Sequence, residues 1–339
     1  MRARVTQKQI AEAAGVHSTT VSLVFRNHPS IPEETRKRIR EIAEKMGYAP
    51  DPMLSSLAAY RSSRRPAAFQ GTLAWLFNSD LDFDWRASPH FSTYHRAAVD
   101  RAQMHGYRLE SFDLNEHRKN PRQLAAIFRA RNIQGLLLCP QPRAHTTIEF
   151  PWDAFSVVTF GYTLESPRFN RVAFAFFATM MRTVEKVRAR GYQRIGLVLN
   201  PLDDARFKNN VLAAYLTSEY QRSRTIPVPP LFDDYRERPE LIEEWFSREK
   251  PDCIVCQDWR VLAVMRQLGI RPPSSVGLAC AGFPAGVEGL SGVAEDSRRI
   301  GEVAADLLAA MVQRGERGVP SKAQDIVVEG DWIDGETLG

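Results

Sequence analysis

The stretch VTQKQIAEAAGVHSTTVSLVFRNHPSIPEETRKRIREIAEKMGYAPDPMLSSLA (5–58) decides how the fold begins. Thr6 and Gln9 stand in T-x-x-Q spacing, a capping box in which each side chain satisfies a free N–H at a helix start. The helix so begun runs to about Ala14 with Ile10, Ala11 and Ala14 on one face, and Gly15 supplies the sharp turn that follows. A second helix over about 18–25 turns Val21 and Val24 inward. A third, about 33–46, sets Ile39, Ile42, Ala43 and Met46 at the spacing of a buried stripe, with Arg36, Lys37, Arg38, Arg40 and Lys45 opposite. Two short helices joined at a glycine and braced by a third describe a helix-turn-helix, although three-helix domains that never meet DNA fit the same pattern.

Charge points the same way. Residues 1–66 hold twelve Lys/Arg against six Asp/Glu, a net of +6, whereas the whole chain of 339 residues is +5. The remainder is therefore close to neutral, and a basic module on a neutral body suits a polyanion. With 44% apolar and 25% charged residues the composition is that of a globular protein, not a disordered chain or a collagen. Four cysteines (Cys139, Cys253, Cys256, Cys280) are too few for a disulfide scaffold and fit a reducing compartment. The start of the chain lacks a secretory h-region, and the apolar run VAFAFFATMM (172–181) is half the length of a membrane span, so the expectation is a cytoplasmic protein with no membrane partner.

The segment YRSSRRP (60–66) separates this head from a body that holds all six tryptophans. There, strand-like runs such as GTLAWLFNS (71–79), GLLLCP (135–140), SVVTFGYT (156–163), RIGLVLNP (194–201), CIVCQ (253–257) and SVGLACAGF (275–283) alternate with helical stretches. The alternation predicts βαβ units and parallel sheets, and the length predicts two α/β lobes with a ligand crevice at the strands' carboxyl ends. The division expected is a helix-turn-helix domain over 1–50, a hinge helix and linker over 51–66, and a two-lobed effector-binding and dimerisation domain over 67–339.

The head string resembles that of the lactose-repressor (LacI/GalR) family: the VT start, the IAxxAGV turn, TVS on the second helix, TRxRI, and GYxP before a short hinge. RGYQRIGLVLNP (190–201), KPDCIVCQDW (250–259) and LGIRPPSSVGLACAGF (268–283) resemble that family's periplasmic-binding-protein-like (type I) body. The resemblance implies a repressor that binds a near-palindromic double-stranded operator as a homodimer. It places Ser18, Thr19 and Leu23 at the base-reading positions, His17 beside the phosphate, and Thr6, Thr20 and Ser22 on the same surface. Ser18 also reads as the cap of its helix. Leu23 cannot hydrogen-bond, which removes a guanine contact and leaves a thymine methyl as its partner. Asp51-Pro52 starts a hinge helix in which Leu57 takes the minor-groove wedge position, and Arg61, Arg64 and Arg65 face phosphate or solvent.

For the body the resemblance implies a small polar effector, saccharides being the class considered, held by Asn78, Arg206, Lys208, Gln257, Asp258 and Phe283. Two departures stand out. The family's G-[FY]-D-D turn reads Gly282-Phe283-Pro284-Ala285, and the Gln-Pro at the lobe crossover reads Glu295-Asp296. A body without effector response and a transport-type solute-binding protein are the alternatives. Nothing points to catalysis, a cofactor or a metal: GFPAGVEG (282–289) is not a phosphate loop, the histidines lack H-E-x-x-H spacing, and a strand places the thiols of Cys253 and Cys256 on opposite faces.

Overall fold

The computed structural model describes residues 5–25, 31–46, 48, 69–79, 84–117, 120–221 and 227–339. Leu57, Arg61, Arg64 and Arg65 lie outside the described residues.

The head is three helices: α1 (Gln7–Ala14), α2 (Ser18–Phe25) and α3 (Glu33–Lys45). Thr6 caps α1 with the full capping box, its N–H donating to Gln9 Oε1 at 2.8 Å. Gly15 ends the helix at φ 65°, a left-handed conformation that a residue without Cβ adopts at little cost, and Val16 N–H donates to the Ala11 carbonyl at 3.0 Å. Ile10, Val21, Val24 and Ile39 are fully buried where the helices meet, with Ile42 and Met46 packed at the edge.

The body has two α/β lobes. In lobe 1 the strands β1 (Gly71–Phe77), β2 (Tyr107–Asp113), β3 (Gly135–Leu138), β5 (Ser156–Phe160), β7 (Asn170–Phe174) and β13 (Asp325–Val328) form one parallel sheet in the order β13-β7-β5-β3-β1-β2. Helices α4 (Pro89–Met104) and α5 (Pro121–Ala130) cross between its strands, and a separate two-stranded ribbon, β4 (Thr146–Thr147) with β6 (Leu164–Ser166), follows β3 and β5 in the chain. Lobe 2 contains β8 (Ile195–Leu199), β9 (Leu231–Phe232), β10 (Cys253–Cys256), β11 (Gly277–Pro284), β12 (Ser291–Glu295) and β14 (Asp331–Ile333), in the order β14-β12-β11-β10-β8-β9 with β14 antiparallel. Its helices are α6 (Phe176–Ala189), α7 (Pro201–Arg206), α8 (Asn210–Tyr220), α9 (Glu240–Glu249) and α10 (Val261–Gln267).

The chain crosses between lobes three times: from β7 into α6, from β12 into α11 (Ser297–Arg314), which packs on lobe 1, and from β13 into β14. The run 172–181 is thus neither one strand nor one helix. It is cut at Ala175, where the chain leaves the lobe 1 sheet and begins α6. Phe176 and Trp332 each pack against both lobes' cores and tie them together. Cys253 lies on one face of the lobe 2 sheet and Cys256 on the other, where Cys256 pairs with Cys280 of the adjoining strand. Among the described residues no helix is long and apolar enough to cross a membrane, and no cluster of His, Cys, Asp or Glu has the makings of a metal site.

Candidate nucleic-acid interface and ligand cleft

In the head, Val21 and Val24 anchor α2 inward, which leaves Thr19 exposed and Ser18, Thr20, Ser22 and Leu23 half-buried around it. Thr6 and His17 are exposed beside them. The cap position belongs to His17 and not to Ser18, because α2 begins at Ser18 and His17 precedes it. The His17 Nδ1 accepts from Thr19 N–H at 3.4 Å and lies 2.8 Å from Thr19 Oγ1, an imidazole doing what a Ser or Asp side chain usually does. Gln7 Nε2 donates to Tyr48 Oη at 3.1 Å and Phe25 packs on the Tyr48 ring, so α1, α2 and the end of α3 hold a fixed angle.

Of the body residues expected to receive a ligand, Arg206 and Asp258 have their polar atoms engaged by the chain itself. Arg206, at the end of α7, donates to the carbonyl of Gln141 at 2.8 Å and to that of Pro142, both in lobe 1. Burial lowers its pKa, opposed by the charge of Asp203. Asp258 is buried and accepts from Arg236 at 2.7 Å, from Arg260 Nε at 2.8 Å and from Arg260 N–H at 3.0 Å. Burial alone would raise its pKa, but the hydrogen bond from Arg260 and the charge of Arg236 outweigh it and hold it below the ordinary carboxylate value. Arg236 also bridges to Asp203, so one guanidinium ties two acids of lobe 2.

Gln257 is buried with Oε1 unpartnered among the described residues, and Gln141 Oε1 of lobe 1 is likewise unpartnered. Gly282 is required there: a Cβ would stand 2.4 Å from Gln257 Nε2, at a φ of 151° that L side chains rarely adopt. Lys208 is exposed just past α7. Phe283 is 1% exposed in the apolar core of lobe 2, which withdraws it from the cleft. Phe207, next to Arg206, packs on the lobe 2 core with its ring stacked on Phe176 at 4.2 Å. Sequence spacing carried no signal for Phe207 or Arg236, whose partners are distant in the chain.

Asn78, at the end of β1, lines a cavity of about 750 Å³ whose walls, among the described residues, come from lobe 1. It opens where β1, β2 and β3 end.

Residues 6–51 match the model of bacterial regulatory proteins, lacI family. The chain is 24% identical over 192 residues to the uncharacterized HTH-type transcriptional regulator YkvZ of Bacillus subtilis (strain 168), covering 57% of this chain and about half (54%) of that relative's length. Two solved structures share the fold across nearly the whole chain. A transcriptional regulator CelR–cellobiose complex has a TM-score of 0.61 at 18% identity, covering 98% of this chain and 100% of that one. A lac repressor dimer bound to operator and the anti-inducer ONPF has a TM-score of 0.59 at 16% identity, covering 99% and 100%. Residues 6–51 thus carry a head of the lacI family of bacterial regulatory proteins, joined to a two-lobed body that shares its fold with these regulators.

Proposed function

We propose that the chain is a sequence-specific DNA-binding transcriptional repressor whose two-lobed body gates operator binding. The observation that carries the reading is the capped α1–Gly15–α2 turn, which holds Thr19 outward with Ser18, Ser22 and Leu23 about it on a helix anchored by Val21 and Val24. A helix so presented fits the major groove, where hydroxyls take either donor or acceptor partners and Leu23 takes a methyl. One such helix reads few base pairs, so a homodimer on a near-palindromic site with half-sites about one helical turn apart is the natural arrangement. The similar lac repressor is a dimer on operator. In this reading the head spans 1–50, the hinge 51–66 and the body 67–339, with Leu57 wedging the minor groove and Arg61 and Arg64 on phosphate.

The effector is a small polar molecule, and the unpartnered amide oxygens of Gln141 and Gln257 favour a ligand that brings hydroxyl donors. A second reading is a body that serves only as a dimerisation platform. It is favoured by the engagement of Asp258 with Arg236 and Arg260, and of Arg206 with lobe 1 carbonyls. Selection of bound sequences from a random duplex pool by the full chain, repeated with Leu23→Arg, tests the first reading. A palindromic motif that gains guanine at one position per half-site supports it, and no enriched motif for either protein removes it.

A further inference from the structure

We propose that His17 sets the hydrogen-bond polarity of Thr19. It takes the hydrogen of the Thr19 hydroxyl and makes that side chain a pure acceptor, which selects a base offering an amine in the major groove. This rests on the reading of α2 as the helix that enters DNA, and deepens it.

The backbone places the two residues first. Gly15 turns the chain at φ 65°, and Val16 N–H closes on the Ala11 carbonyl at 3.0 Å. His17 then opens α2, its carbonyl accepting from Thr20 N–H at 2.9 Å and from Val21 N–H at 3.4 Å. Val21 and Val24 are fully buried and fix which face of α2 turns inward. Thr19 is left exposed two residues after the cap, and His17 is exposed beside it.

An imidazole nitrogen carries a lone pair in the ring plane or a hydrogen, never both. Nδ1 of His17 faces the Thr19 N–H at 3.4 Å, and a backbone N–H can only donate. Nδ1 is therefore the bare nitrogen, and the ring hydrogen sits on Nε2. Thr19 Oγ1 lies 2.8 Å from the same nitrogen, where two facing lone pairs would repel, so the hydroxyl turns its hydrogen onto Nδ1. A threonine hydroxyl has one hydrogen and two lone pairs. With the hydrogen spent, only lone pairs face outward. The branch at Cβ stiffens the side chain, so this orientation is settled before DNA arrives.

The four bases separate on this property. In the major groove adenine presents N6 and cytosine N4 as donors, whereas guanine presents N7 and O6 and thymine presents O4, all acceptors. A hydroxyl free to rotate satisfies either class and reads little. An acceptor-only Thr19 favours adenine or cytosine on the strand it faces, and sets lone pair against lone pair at guanine or thymine. Histidine at this cap thus adds sequence information that serine there would not. A serine hydroxyl also caps a helix, but it can donate to Thr19 Oγ1 and release the Thr19 hydrogen.

Two measurements on the full chain test this. The first is long-range nitrogen–hydrogen NMR of the free chain, labelled at histidine and held at mildly alkaline pH. The His17 signals, those absent from His17→Asn, are expected to show hydrogen on Nε2 and none on Nδ1. Hydrogen on Nδ1 overturns the proposal whether or not the chain binds DNA. The second is selection of bound sequences from a random duplex pool. One position per half-site is expected to favour adenine or cytosine over guanine or thymine by about 3–10-fold. His17→Asn, whose amide oxygen caps and only accepts, should keep that preference. His17→Ser should lose it while the rest of the motif stands, and Thr19→Val should erase it. Asn and Ser are both favoured caps, so a folding defect does not separate them. A preference kept in His17→Ser, or lost alike in His17→Asn and His17→Ser, leaves His17 a cap alone and overturns the proposal. A wild-type pool with no enriched motif, alongside hydrogen on Nε2, overturns the DNA reading on which the base selection rests.

Discussion

The carboxylate of Glu295 accepts a 2.7 Å hydrogen bond from the hydroxyl of Tyr94, 201 residues earlier in the chain. Glu295 ends β12 of lobe 2 just before the chain crosses into α11, and Tyr94 belongs to α4 of lobe 1. The same carboxylate accepts from Ser297 Oγ at 2.6 Å and stands 3.0 Å from His90 Nδ1. A buried carboxylate costs free energy unless its lone pairs are met, and three groups meet them. The crossover is therefore clamped to lobe 1 by Glu295.

Glu295→Ala strands the Tyr94 hydroxyl and removes the His90 partner, with an expected loss of about 2–4 kcal/mol. Glu295→Gln keeps an acceptor for Tyr94 and loses less. Urea denaturation of both variants checks the order, and equal costs count against a role for the charge.

The pair also sets a pH window. Burial pulls the His90 pKa down, but the charge and hydrogen bond of Glu295 outweigh burial and leave it above its ordinary value. Burial raises Glu295, yet His90, Ser297 and Tyr94 bring it below its own. The raised histidine contributes stability that is present at low pH and lost as pH climbs through its folded value. The depressed carboxylate contributes stability that is lost as pH falls through its folded value. The pair should stabilise most between the two, and His90→Gln should flatten the upper edge of that window in a Tm-against-pH series.

His95 acts with the opposite sign. Burial, with the charge of Arg86, lowers its pKa to about 4, and its ring sits 5.0 Å from that of Trp75 and 4.7 Å from that of Trp85. The unfolded chain binds this proton more readily than the folded one between about 6.5 and 4, so stability should fall as pH drops through that range. His95→Gln should remove this part of the acid slope, and an unchanged slope assigns it to other groups.

Gly301 lets α11 lie against α4, since a Cβ there would come within 2.4 Å of the Tyr94 carbonyl. Gly301→Ala forces the two helices apart, with an expected cost of about 1–3 kcal/mol. The shift also moves Tyr94 from Glu295, so the double variant Gly301→Ala/Glu295→Gln should cost less than the sum of the singles, which a double-mutant cycle measures.

Truncating the head core tests its independence from the body. Ile39 is fully buried among the three helices, so Ile39→Ala should cost about 2–5 kcal/mol locally. Limited proteolysis should then cut between 5 and 48 while the body keeps its own melting transition; a single lowered transition for the whole chain shows the two to be coupled.

The head was legible because its determinants are local. Thr6 and Gln9 are three residues apart, Gly15 ends one turn, and the inward residues Ile10, Val21, Val24 and Ile39 follow from helical period alone. The alternation of apolar runs with helical stretches was enough for parallel α/β lobes, since a run buried on both faces leaves its mark in consecutive residues such as Gly135–Leu138. Position 175, where an apolar run divides between two lobes, left no mark, because the run stays apolar through the buried strand and on through Phe177 and Ala178, which face solvent on the helix. The cleft was beyond reach for a related reason. Asp258 was recognisable as an acid at a strand end, but only the folded chain brings Arg236 onto it from another loop, and only the folded chain passes Arg206 across to Gln141. Composition and period report which residues are buried. Whether a buried polar atom is spent on the chain's own partners or left for a ligand is decided by contacts between residues distant in sequence, and the tertiary structure alone supplies those.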